Sequence, residues 1–216
     1  MAASFITSVY GHAEAEYIIK KSRFIASLKE VRREDEAQSF IEETRKHYWD
    51  ASHNCYAYQL GSNTLTQKSN DDGEPSGTAG RPMLEVLKKS GITNTVVVVT
   101  RYFGGIKLGA SGLIRAYSHA VSLGLAAAPI ADYKPYDVYS IGFGYPFVSS
   151  IERLAPEFAI RIADRSFSDT VTFILEIPQE QTAAFCTALT NATNGKAIIT
   201  EKDHITIPII RTNDPQ

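Results

Sequence analysis

Cysteine is nearly absent. Cys55 and Cys186 are the only two in 216 residues, and they form no CxxC pair. A disulfide between them stays open, but two isolated cysteines fit reduced intracellular thiols better than a stapled secreted scaffold. Long apolar runs are missing as well: the most apolar stretches, 96–99 and 121–128, are interrupted well short of a membrane-spanning length. The N-terminal residues show no basic segment followed by an apolar one, so no signal peptide is expected. These absences lead us to expect a cytoplasmic protein with no membrane partner. A large net charge is also lacking, since 22 Lys and Arg against 24 Asp and Glu give −2. That argues against a generally basic nucleic-acid binder, so any polyanion site must be local. What remains, 44% hydrophobic and 21% charged residues, is ordinary globular composition, enough for one large domain or two small ones.

One absence is local. Between Val86 and Ala131 there is neither Asp nor Glu, while Lys88, Lys89, Arg101, Lys107 and Arg115 all occur. The segment contains "TRYFGGIKLGASGLIRAY", residues 100–117, with glycines at Gly104, Gly105, Gly109 and Gly112. Glycine lets backbone N–H groups approach a ligand without a Cβ in the way. A helix starting near Ser111 adds its positive N-terminal end. Together these features suit a phosphate. The spacing is no known nucleotide fingerprint, because Leu108 follows Lys107 where a Walker A loop needs Ser or Thr, and GxGxxG is absent. The plainer reading is a tight strand-to-helix turn beside a solvated basic face.

Periodicity places the rest. Residues 17–31 alternate as a strand. Residues 33–48 begin with Glu34, Asp35 and Glu36 and continue with an apolar stripe, hence a helix. Residues 52–60 read as a strand, with 64–68 its hairpin partner across Gly61–Asn63. The loop 69–82 is dense in turn formers, and 83–90 is a short helix with Gly91 just past its end. The valine-rich run 95–102 reads as a central strand buried on both faces, followed by a helix over 111–128. From about 134 a second cycle begins: strand 136–143, helix 146–158, hairpin 160–166 with 170–177, helix 179–193 and strand 197–210. That order, βαββαβ, is the ferredoxin-like arrangement. We therefore expect an α+β protein of two domains, 1–132 and 133–216.

Four smaller features need weighing. Asp71, Asp72 and Glu74, set among Gly73, Pro75, Gly77, Thr78 and Gly80, could ligate a divalent cation, but the alternate spacing of a calcium loop is missing. Holding Arg81 or the basic loop by charge, or capping the next helix, are the other readings. His53 and Cys55 share a strand face and could form a base and nucleophile, yet no orienting group can be assigned, and a buried structural cysteine fits better. Gly109-Ala110-Ser111-Gly112 is not G-x-S-x-G, which rejects a serine hydrolase. Tyr102 and Phe103 could stack on bases or simply close the core.

The blocks "HNCYAYQLG", "NDDGEPSGTAGRPMLEVL" and "VVVVTRYFGGIKLGASGLIRAY" resemble, in order, those of the YigZ/IMPACT family. The resemblance runs from about Lys21 to Leu125, and the C-terminal part resembles the extra domain of the bacterial members. It implies an N-terminal domain like the second domain of ribosomal protein S5, shared with elongation factor G, and a ferredoxin-like C-terminal domain like the last one of that factor. It also implies a link to translation, with no secure reaction, no cofactor and no catalytic residues to carry over. The working surface it implies comprises Arg101, Tyr102, Gly104, Gly105, Lys107, Gly109, Gly112 and Arg115, with Asp71, Asp72, Gly73, Glu74, Pro75, Gly77, Thr78 and Gly80. The expectation is a non-enzymatic, translation-associated regulator that binds RNA, the ribosome or a translation-related protein through the basic glycine loop. An enzyme acting on a phosphorylated small molecule and a pure protein-interaction module are the alternatives.

Overall fold

The computed structural model describes residues 6–62 and 64–211. The chain divides into two compact units, one reaching to Tyr133 and taken up again from Pro208, the other Lys134–Ile207.

The first unit is built on a five-stranded sheet in the order β2-β3-β6-β4-β5: β2 (His12–Ile19), β3 (Ser22–Glu30), β6 (Thr95–Tyr102), β4 (His53–Leu60) and β5 (Thr66–Asn70). All four pairings are antiparallel. β6 is central, as its valine run implies, and its side chains alternate between two cores. Val97 and Val99 pack with Met83 and Leu87 of α2 (Gly80–Lys89) and with Leu113 and Tyr117 of α3 (Ala110–Ala127). Val96 and Val98 pack with Ala37, Phe40 and Ile41 of α1 (Glu34–His47). The sheet thus has α2 and α3 on one face and α1 on the other. β1 (Ile6–Val9) pairs with the first residues of β7 (Ile130–Phe143), from Ile6↔Tyr133 to Val9↔Ile130.

The expected single strand over 17–31 is a correction. Residues 12–30 form a hairpin, β2 to β3, in register from His12↔Lys29 to Ile19↔Ser22. Its two-residue turn is Lys20-Lys21, with φ of 46° and 65°. Positive φ at both central residues is the type I′ requirement, usually met by Asn-Gly. Two lysines meet it at about 1–2 kcal/mol each, and they carry no sequence signal for a turn. β5 begins two residues later than expected, and Asn63 of the turn before it lies outside the described residues.

In the second unit, β10 (Ile198–Ile210) lies beside β7, then β9 (Val171–Pro178) and β8 (Arg161–Phe167). Helices α4 (Val148–Glu157) and α5 (Thr182–Thr193) supply Ile151, Phe185 and Leu189 to a core with Ile141, Phe143, Phe173 and Leu175. The element order is the expected βαββαβ. Among the described residues no helix is long and apolar enough to cross a membrane.

Candidate functional site

The antiparallel register of β4 and β6 sets His53 opposite Arg101. Two loops leave this end of the sheet: 71–80, between β5 and α2, and 103–109, between β6 and α3. Each is fixed by its own chemistry.

In the first loop Asp71 accepts N–H bonds from Gly77, Ala79 and Gly80 at 2.8, 3.0 and 2.9 Å. It thereby caps the start of α2. Burial opposes its charge, but the amides of Gly77, Gly80 and Ala79 outweigh burial and hold the carboxyl below its ordinary value. Asp72 accepts from the Asn54 amide at 2.7 Å and the Arg45 guanidinium at 2.9 Å. Thr78 closes the turn by donating to the Pro75 carbonyl at 2.6 Å. Glu74 turns inward. Its Oε1 takes the Arg101 Nη1 at 2.5 Å and the Tyr117 hydroxyl at 2.7 Å, with side chains only 3% and 7% exposed in the ion pair. The three carboxylates therefore face three different sets of donors, which is capping and internal pairing rather than a shared cation cage.

Asp71→Ala is expected to lower stability by about 2 kcal/mol, because a helix cap and further amide partners are lost together. A carboxyl held below its unfolded value of 3.8 stabilises above that pH and ceases to as pH falls through the lower, folded value. The gap between wild type and Asp71→Asn in urea midpoint should accordingly be wide at pH 7 and narrow toward pH 3. An equal gap at both would contradict the capping role.

The second loop begins with Gly104, packed against the β2–β3 turn: a Cβ there would lie 2.0 Å from the Lys21 carbonyl carbon. Its N–H donates to Ser22 Oγ, and the Phe103 N–H to Ser52 Oγ, both at 3.1 Å. Gly109 precedes α3 with φ 73° and no capping side chain, so among the described residues the first amides of the helix have no side-chain acceptor.

The two loops border one cleft of about 510 Å³. His53, Glu74 and Pro75 form one wall; Phe103, Lys107 and Gly109 form the other, with Arg101 on the floor. Arg101 lies between the rings of Phe24 and Phe103, 5.4 and 5.5 Å from their centroids. Its Nε is buried without a hydrogen-bond partner. His53 Nε2 stands 3.9 Å from Glu74 Oε1, and its Nδ1 is 2.8 Å from the Asp72 carbonyl. Beneath them the Cys55 thiol donates to the Asp71 carbonyl at 2.9 Å, and its sulfur lies 3.3 Å from the Tyr117 hydroxyl. Burial pushes that thiol up to about 12, so it is an inert core group and not a nucleophile paired with His53.

An Impact N-terminal domain model matches residues 20–125 of this chain, and a domain of unknown function, DUF1949, matches 141–196. The IMPACT family member YvyE of Bacillus subtilis is 47% identical over 188 residues, which cover 87% of each chain. The chain belongs to the IMPACT family. The IMPACT family member YigZ of Escherichia coli is 35% identical over 82% of this chain and 88% of its own. A solved structure described as the crystal structure of a hypothetical protein superposes with a TM-score of 0.57 at 30% identity, covering 93% of this chain and 98% of that one. The three sequence blocks that carried the resemblance all fall inside the Impact N-terminal match.

In this IMPACT-family chain the expected surface is divided. Arg101, Lys107, Gly109 and Glu74 meet in the cleft. Gly112 and Arg115 line a separate hollow with Lys20 and His119. Tyr102 points elsewhere, donating to Asp50 at 2.8 Å beneath the Arg23 guanidinium. Gly73, Gly77 and Gly105 take positive φ in the loops, and Gly80 packs against the Asn70 backbone. Sequence reasoning passed over Tyr117, although a phenol on an otherwise apolar helical stripe signals a buried polar partner.

Proposed function

We propose that the first unit is a non-catalytic, cytoplasmic binding module that takes phosphates of RNA in the glycine-loop cleft, in the service of translation. One observation carries this reading: among the described residues the only carboxylate lining the cleft, Glu74, is buried against Arg101, so the exposed charge there is that of Lys107. Exposed amides at the start of α3 add to it, and an anion meets donors without a competing acid. Arg101, its charge already met, positions Phe103 and the floor. The translation setting rests on the S5-like and ferredoxin-like fold reading. For the second unit that reading is supported by the strand neighbours β10-β7-β9-β8.

Lys107→Ala is the direct test. The slope of log affinity for single-stranded RNA against log salt should fall by about 0.7, one phosphate's worth. An unchanged affinity and slope would refute the reading. A second reading, an enzyme acting on a phosphorylated small molecule, is favoured by one fact: both loops border a single cleft with His53 near Glu74. It requires turnover of a phosphorylated small molecule that His53→Asn abolishes, whereas the binding module requires none.

A further inference from the structure

The hollow beside Arg115 is a second, separate concavity of about 610 Å³ between β2 and the outer side of α3. Its cationic lining is Lys20 and Arg115, with His119 beside them and, among the described residues, no carboxylate. The pleat of β2 explains the lack of acid: Tyr17 and Ile19 face α3, while Glu14 and Glu16 project from the opposite side of the strand, where Glu16 pairs with Arg23 at 2.8 Å. Leu108 lines both this hollow and the glycine-loop cleft, so one side chain is their common wall. Each concavity also offers a ring. Phe103 is 49% exposed in the cleft, and Tyr17 meets His119 edge-on at 4.5 Å in the hollow. Lys20 lines the hollow, and Lys21, the next residue of the same turn, has its backbone against Gly104 of the glycine loop; both side chains are exposed and both backbones left-handed.

Resting on the reading of the cleft as a phosphate site, we infer that one single strand of nucleic acid runs from the cleft over Leu108 into the hollow, its phosphates met by Lys107 and then by Lys20, Lys21 and Arg115. From Ala110 to His119 the helix rises about 14 Å, a path longer than one nucleotide. Rings flanking a basic track suit unstacked bases of any sequence. A duplex keeps its bases stacked and could not use them.

The test compares a dinucleotide with a decanucleotide of RNA, using the full chain carrying either Lys107→Ala or the set Lys20→Asn, Lys21→Gly and Arg115→Gln. The turn substitutions supply the residues a type I′ turn favours, so this variant should melt no lower than wild type and a binding loss cannot be laid to misfolding. Lys107→Ala should weaken both ligands. The three-residue set should weaken the decanucleotide at least tenfold, lower its salt slope by about 2, and leave the dinucleotide unchanged. If the set changes neither ligand while Lys107→Ala weakens both, the track is overturned and the cleft survives. If Lys107→Ala changes neither, the cleft reading itself fails. Equal loss for duplex RNA, or displacement of the decanucleotide by polyglutamate at equal charge, would also overturn the single strand as occupant.

Discussion

Glu74→Ala is expected to destabilise the first unit by about 3–5 kcal/mol, a large share of the 5–15 kcal/mol that holds a typical domain together. The loss comes from what stays behind. Arg101 keeps its charge with its side chain 93% enclosed, between two rings and with Nε already lacking a partner. Tyr117 loses the acceptor of its hydroxyl on the buried side of α3. Glu74→Gln, which preserves an acceptor oxygen, should cost less. The double substitution Glu74→Gln with Arg101→Met should recover most of the loss, since an apolar chain of similar length leaves no uncompensated charge. Urea unfolding followed by far-ultraviolet circular dichroism is the suitable measurement. Fluorescence is not, because Trp49, the only tryptophan, is 82% exposed and reports little on folding. A loss under 1 kcal/mol for Glu74→Ala would mean that water reaches the pair.

Gly104→Ala is expected to cost about 3 kcal/mol, at the upper end for overpacking. The added methyl would meet backbone, with the Lys21 carbonyl carbon at 2.0 Å, its oxygen at 2.2 Å and the Ser22 nitrogen at 2.4 Å. No rotamer change relieves a clash with main chain, so the β2–β3 turn and the glycine loop must part. The hydrogen bonds from Gly104 to Ser22 and from Phe103 to Ser52 would go with them. Gly105→Ala is the matched control. Its φ of 82° is strained for alanine, but nothing lies within 4 Å of a Cβ there, and about 1 kcal/mol is expected. Thermal melts of the two variants should differ clearly. Equal melting temperatures would show that the contact with the turn is loose.

The contrast between these neighbouring glycines shows what a sequence can reveal. Gly104 and Gly105 look alike in a string of letters, and only the approach of a segment some eighty positions upstream separates them. The valine run of β6 was legible because burial on both faces needs no long-range information. The acids opening α1 announced a helix for the same local reason. The β2–β3 hairpin was illegible because Lys20-Lys21 lacks the residues that normally mark a tight turn. Both loops could be picked out by composition, but their meeting depends on the β4–β6 register, a tertiary fact. Arg101 was expected on the anion-contacting surface, and the alternative that the acidic loop holds the basic loop by charge is the one its pairing with Glu74 fits. Its position two residues after Val99, on the face that carries Val97 and Val99 into the core, already implied burial and so a carboxylate partner.

The central place of β6 also bears on how the molecule is made. β3 has no inner neighbour until β6 arrives, and the whole of α1, β4, β5 and α2 is translated in between. At about 5–20 residues per second, Phe24, Leu28 and Ile41 wait on the order of several seconds in a nascent chain before the valines that cover them emerge. Non-local pairing of this kind folds slowly and leaves sticky intermediates, so newly synthesised copies should depend on chaperone protection during that interval far more than the finished sheet does.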